Sequence, residues 1–325
     1  MQRRAYLRAL GALTTGSGLA GCSASSEEAT GTGTAKSSTA TRTPTARPAT
    51  ATAEPTPTPG RRTLSPYRSW LVAPTPVTAD HYEFAHLSLS TVRADATQSF
   101  AESLDTYWRQ RSVAYFGVSV PVDGLETVLT VNHARAVDES YRVASGSFDT
   151  DTLRESLADA GFTADGFTAD VQRFTRVEDG LLRVVGLHPD VLVSIGAPES
   201  ATDPLAAAVD QHAAGEVRTE VDEGLAALVD HFGTADYATG RELEPVDESY
   251  PLSTAVATGR RLDVEGDTSW TERAYVLPPD ATVDQAAVEE EIRTRHVGQP
   301  IDEFRHEGRI VSVAGEVENS LIRLI

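Results

Sequence analysis

Cysteine, methionine and lysine each occur once in this chain of 325 residues. The single thiol, Cys22, excludes an intramolecular disulfide and any cysteine-rich metal site, and its place in the N-terminal signal described below removes it from thiol catalysis. Lys36 is the sole lysine, so every other basic residue except histidine is arginine. No basic run is present, which argues against nucleic acid as a partner. Long hydrophobic runs are missing too. A helix that crosses the hydrocarbon core needs about 20 strongly apolar residues, whereas the stretch 9–20 is short and diluted by Gly, Ser and Thr. The chain has no Gly-x-Gly-x-x-Gly fingerprint, Walker loop, calcium loop or His-Glu-x-x-His pair, so no cofactor or metal is implied.

The N-terminus is the most specific part of what is there. Arg3 and Arg4, followed by Ala5, Tyr6, Leu7 and Arg8, match a twin-arginine export signal. Leu19, Ala20 and Gly21 before Cys22 match a lipobox, in which the thiol is alkylated by a diacylglyceryl group and the chain is cut just before it. Two acyl chains suffice for stable attachment where one does not. The expected partner at this end is therefore the membrane, through lipid at Cys22, and the expected location is the extracellular face.

Acids outnumber bases 48 to 28, for a net charge of −20. Removing residues 1–21 takes away Arg3, Arg4 and Arg8 and no acid, so the mature chain is more negative still. The acids are dispersed, the longest run being Glu289-Glu290-Glu291. Such a surface repels itself in dilute buffer, and molar salt, with a Debye length of about 3 Å, removes that penalty. This is the composition expected of a halophile.

Residues 22–63 read as the lipidated cysteine and a Ser/Thr/Pro-rich stalk with no apolar periodicity. A flexible chain over residues 23–60 would span about 35 Å root-mean-square, and a polyproline-like one up to roughly 115 Å. Tyr67, Trp70 and Leu71 at the stalk–body junction are expected to pack the entry strand, with a sugar-binding platform as the alternative. Beyond it the pattern predicts an α+β fold, mostly antiparallel with helices on one face, whose element order admits two ferredoxin-like (split βαβ) halves: a first unit over 64–240 and a smaller one over 241–325. Strands are expected at 82–92, 113–120, 125–131, 141–148, 171–177, 181–186, 191–195, 252–258, 271–277 and 308–317. Helices are expected at 97–111, from Asp149 or Asp151 to Gly161, from Asp203-Pro204 to Gly215, from about Thr219 to Gly233, and from Thr282 to about His296. Val137-Asp138-Glu139-Ser140-Tyr141 recurs at 246–250, a short match compatible with duplication.

Chemistry-bearing constellations are sparse. Gly117-Val118-Ser119-Val120-Pro121 lacks the last glycine of a nucleophile elbow, and Ser145-Gly146-Ser147 reads as a strand end rather than a catalytic turn. Of the eight histidines, His212, His231 and His296 fall in the last turns of expected helices, where a cation suits the dipole.

The chain resembles the uncharacterised twin-arginine-exported lipoproteins of halophilic archaea. The resemblance rests on Arg3-Arg4, the lipobox, the Thr/Pro stalk and, in the body, on residues 144–151 followed by Leu153, Leu157 and Gly161-Phe162, with Gln172-Arg173-Phe174 and Val184-Val185-Gly186 beyond. It implies location and a mixed body, and no reaction. The expected role is a non-enzymatic scaffold or interaction module with an unknown surface protein or small solute as partner. The alternatives are a solute-binding lipoprotein of a membrane importer and, third, an extracytoplasmic hydrolase.

Overall fold

Strands with consecutive buried positions, such as Val184–Leu187 and Leu192–Ile195, build one sheet with apolar side chains on both faces. A computed structural model of the chain describes residues 67–71, 82–133, 140–215, 222–243, 252–281, 284–295 and 301–319. The export signal (Arg3, Arg4, Leu7), the lipobox and Cys22, the stalk to residue 66, His81, His296 and most of the two matching pentapeptides lie outside them.

The strands are β1 (Tyr82–Ser88), β2 (Leu125–His133), β3 (Ser140–Gly146), β4 (Thr163–Thr168), β5 (Val171–Glu178), β6 (Leu181–Leu187), β7 (Val191–Pro198), β8 (Tyr237–Glu242), β9 (Ala257–Glu265), β10 (Thr268–Val276), β11 (Glu303–Glu307) and β12 (Ile310–Glu318). The helices are α1 (Leu89–Asp95), α2 (Gln98–Phe116), α3 (Thr150–Asp159), α4 (Pro204–Ala214), α5 (Glu223–Phe232) and α6 (Gln285–Arg295). The twelve strands form a single sheet in the order β11-β12-β10-β9-β8-β1-β2-β3-β7-β6-β5-β4, and every pairing between them is antiparallel. The α+β class holds. The boundary expected at 240–241 falls inside β8, which pairs with β1 on one side and β9 on the other.

Helices cover both faces of the sheet rather than one. On the first face, Leu205 and Val209 of α4 and Leu225, Leu228 and Phe232 of α5 pack on Phe84, Val131, Val143, Val193 and Ala238. On the second, Leu89 of α1, Leu104 and Trp108 of α2 and Leu153 and Leu157 of α3 pack on Leu87, Val128, Ala144, Val185 and Leu192. Strands buried on both faces read as near-continuous apolar runs, as Val191–Ile195 does, and such a run hides how many faces are covered. A third cluster joins Ile292 of α6 to Tyr275 and Val311.

Several elements differ from expectation. The strand expected over 82–92 ends at Ser88, whose N–H donates to the Asp236 carbonyl at 2.7 Å, and α1 begins at Leu89 with Leu89 and Val92 buried. The strand expected over 113–120 is the last turn of α2 and a coil. The helix runs on through Ser112 and Phe116 until Gly117, at φ 75°, caps it with its N–H on the Val113 carbonyl. Leu252–Val256 precedes β9 instead of forming its first half. The turns follow the sequence more closely. Asp179 and Gly180 both take positive φ, the requirement of a two-residue type I′ hairpin between β5 and β6. Asp149 caps α3 by accepting from the N–H groups of Asp151 and Thr152.

Of the junction residues, Tyr67 packs on the entry strand β1, its ring 5.5 Å from that of Phe84, whereas Trp70 packs on α4. Tyr67 and Leu71 are buried, and Arg68–Trp70 forms a 3-10 turn on the first face. Tyr67 stacks on His86 at 4.2 Å, Trp70 stacks on His212 of α4 at 3.5 Å, and Arg68 pairs with Asp230 of α5. His212 Nδ1 also lies 2.8 Å from the Ser69 carbonyl. The turn thus bridges the two helices of this face over the central strand.

Candidate functional site

Among the described residues, those singled out in the sequence do not assemble into one place. Ser145 Oγ lies 2.6 Å from Thr127 Oγ1 across β2 and β3, so its hydroxyl serves the ladder. His188 is held by Asp170 at 3.3 Å and Asp190 at 3.8 Å, and His306 Nε2 faces the Gly308 carbonyl at 2.9 Å. His231 does sit in the last turn of α5, but it points into the protein. Its Nε2 is 2.8 Å from Glu272 Oε1, which also accepts from Ser312 Oγ at 2.7 Å. Burial alone would raise the Glu272 pKa. The hydrogen bond and charge of His231 and the Ser312 hydroxyl outweigh it and pull the carboxyl down to about 2. Glu272 is 2 % and Ser312 1 % exposed, so the three groups tie α5 to β10 and β12 and face no substrate. Among the described residues no group of three His, Cys, Asp or Glu side chains is placed to hold a metal ion.

The accessible chemistry lies elsewhere, in a hollow of about 520 Å3 on the second face. The last turn of α2 forms one wall through Arg111, Val113, Ala114 and Tyr115. Because α2 overruns its expected end by five residues, Tyr115 reaches this wall. The floor is the polar phase of four neighbouring strands: Arg142 on β3, Ser194 on β7, Arg183 on β6 and Arg176 on β5. Residues two apart on a strand share a face, so the strand sequences place these side chains opposite the valines that build the other core.

Four guanidinium groups therefore converge in a chain with 20 excess negative charges. Aromatic rings hold three of them in position. Arg142 lies over Tyr115 at 4.5 Å, Arg111 over Tyr107 at 5.2 Å and Arg176 over Phe162 at 4.8 Å. Arg176 also donates to the Ala160 carbonyl at the end of α3 at 2.7 Å. Glu178 lies 2.8 Å from Arg176 and 3.9 Å from Arg183. The Ser194 side chain is mostly buried at the floor of the hollow. A second hollow, of about 680 Å3, has the opposite character, with Asp95, Asp263, Glu265 and Glu316 around Trp270. Gathered carboxylates are what this composition produces anywhere, and gathered arginines are not.

Sequence reasoning missed the arginine hollow. Its members lie at positions 111, 142, 176 and 183, and no run or spacing connects them. The one signal available was arginine in the polar phase of strands that are otherwise apolar.

No protein-family model matches the chain, and no curated protein matches it. Among solved structures it is similar to TP0453 in crystal form III, at 12 % identity over 78 % of this chain and 94 % of that one, with a TM-score of 0.47. Crystal form IV of TP0453 gives 12 % identity over 78 % and 92 %, with a TM-score of 0.48.

Proposed function

We propose that the chain is a lipid-anchored, non-enzymatic interaction module on the outer face of a halophile's cell membrane. Cys22 carries the lipid, Arg3 and Arg4 direct export, and the Thr/Pro stalk holds the body away from the bilayer. One observation supports the module reading above a hydrolase. The hollow described above is lined by arginine, tyrosine and serine, and the described residues place neither a histidine nor a carboxylate pair in it for general acid–base work. The solute-receptor alternative draws support from the small-molecule size of that hollow. The single continuous sheet weighs against it, because importer receptors close two lobes on a hinge.

Expression of the full chain in a halophilic host tests this reading. Cys22→Ser is expected to release the protein into the medium, and Arg3→Lys with Arg4→Lys to keep it inside the cell. Cross-linking on intact cells should then capture a surface protein. Capture of an importer permease would replace the module with the receptor, and retention of the Cys22→Ser chain on the membrane would remove the anchor.

A further inference from the structure

We propose that the hollow beneath the last turn of α2 receives an uncharged sugar, held through the hydroxyl groups gathered on its floor. The inference deepens the module reading by naming the chemistry of the module's partner. It rests on that reading only in taking the hollow as a place of contact, and it does not depend on the anchor.

Seven serine and threonine side chains are buried among the described residues: Ser112, Thr130, Ser140, Ser194, Thr258, Ser269 and Ser312. Four of them serve the fold. Ser112 Oγ donates to the Arg109 carbonyl and accepts from the Val120 N–H, Thr258 donates to the Ala274 carbonyl, Ser269 to Asn319 and Ser312 to Glu272. The side chains of Thr130, Ser140 and Ser194 have no hydrogen-bond partner among the described residues. These three are neighbours. Thr130 on β2 and Ser194 on β7 lie directly opposite Arg142 on β3, and Ser140 is two residues from Arg142 along β3, so all three share one face. Ser140 and Ser194 line the hollow. A buried hydroxyl that the protein does not pair costs the fold free energy. A ligand hydroxyl, which both donates and accepts as these do, meets that need.

The charges around the floor favour a neutral ligand. Glu178 already lies beside Arg176 and Arg183, so an anion would have to compete with it, whereas a neutral hydroxyl leaves that balance alone. A guanidinium has five N–H groups, so an arginine with a carboxylate at one edge still donates to an uncharged oxygen. The α2 wall supplies the apolar part of the match. Val113, 50 % exposed, and Ala114 beside it offer a surface to the C–H face of a sugar ring. At about 520 Å3 the hollow falls within the range of small-molecule sites. Molar salt screens attraction between separated charges and leaves neutral hydrogen bonds in place.

Saturation-transfer NMR of the full chain in molar KCl tests the site. One arm holds glucose, galactose and mannose, a second their methyl glycosides, and a third citrate as a charged control. Sugars should receive saturation from the protein, and citrate should not. Binding confined to the first arm assigns a free sugar, and binding in the second as well assigns the end of a surface glycan. Ser140→Ala and Ser194→Ala should each weaken binding about fivefold, the loss of one neutral hydrogen bond. Both should leave the urea midpoint unchanged or higher, because neither hydroxyl has a partner in the fold to lose. A folding defect cannot produce that combination. Silence in both sugar arms overturns the site, and so does binding that both serine variants leave unchanged. A lower urea midpoint in either variant also overturns it, since the hydroxyl would then serve the fold. A chain that binds no sugar yet leaves the membrane on Cys22→Ser loses this inference and keeps the anchored module.

Discussion

His86 stands on the central strand β1, 2 % exposed, with both ring nitrogens lacking a hydrogen-bond partner among the described residues. Burial pushes its pKa from 6.5 down to about 3. Between those values the unfolded chain binds a proton that the folded chain refuses, so acidification removes about 1.4 kcal/mol of stability per pH unit from this residue. Asp236 works in the opposite direction. Burial raises its carboxyl to about 6, against a 2.7 Å hydrogen bond from the Val264 N–H and with help from the charges of Asp263 and Asp95. From 3.8 to about 6 the folded chain keeps a proton that the unfolded chain has lost, so stability falls as pH rises through that window. Two variants separate the effects. His86→Phe keeps the stack on Tyr67, and its stability relative to wild type should grow as pH falls below 6.5. Asp236→Asn can still accept from Val264, and its advantage should be largest at neutral pH and vanish below 3.8. Urea unfolding of the three proteins across the acid range checks both. Parallel curves would mean that neither group titrates as its burial requires.

At the scale of elements, α5 shows how closely a helix can be set on this sheet. Gly240 of β8 and Gly259 of β9 are directly paired, and both face it. A Cβ on Gly259 would lie 2.3 Å from the Thr239 carbonyl oxygen and 2.8 Å from both Leu228 and Phe232. Gly259→Ala should therefore cost about 1–3 kcal/mol by overpacking, read as a lower midpoint in urea with an unchanged slope. The His231–Glu272 pair fastens the same helix, and Glu272→Gln should cost about 3–5 kcal/mol by leaving a buried group without its charged partner. The Glu272 contribution is present above 4.5 and lost as pH falls toward about 2, so the variant's deficit should shrink in strong acid. The helix itself was legible, because Leu225, Leu228, Val229 and Phe232 recur at helical spacing and all are buried. Its floor was not. β8 reads Tyr-Ala-Thr-Gly-Arg-Glu, where a glycine replaces the apolar residue that would mark a strand. The other strands absent from the sequence reading, β4 and β11, lie at the two ends of the sheet, where one partner is missing and little is buried. Periodicity records burial, so elements with little to bury leave no trace. The arginine hollow escaped for a related reason: its residues are the polar remainder of strands recognised by their apolar phase.

For the whole molecule, charge decides the conditions under which this fold persists. Arginines are largely occupied close to home, as Arg93, Arg173 and Arg261 are, so they do little to cancel the remaining acids at a distance. The acid-lined hollow concentrates what is left. Trp270 of β10 has Asp263 directly opposite on β9 and Glu316 directly opposite on β12, with Asp95 and Glu265 beside them. Like charges on one patch cost free energy in dilute buffer, and the cost fades as the Debye length contracts from about 10 Å at 0.1 M salt to about 3 Å at 1 M. The thermal midpoint of the full chain should therefore climb steeply with KCl up to about molar concentration and flatten beyond it. Glu316→Gln together with Glu265→Gln should raise the low-salt end of that curve and leave the high-salt end in place. Sucrose stabilises by exclusion without screening, so it should lift both proteins equally and leave the gap between them. A gap that sucrose closes, or one that persists at full length in molar KCl, would mean that these acids act through hydration or packing and that repulsion is not what limits the fold.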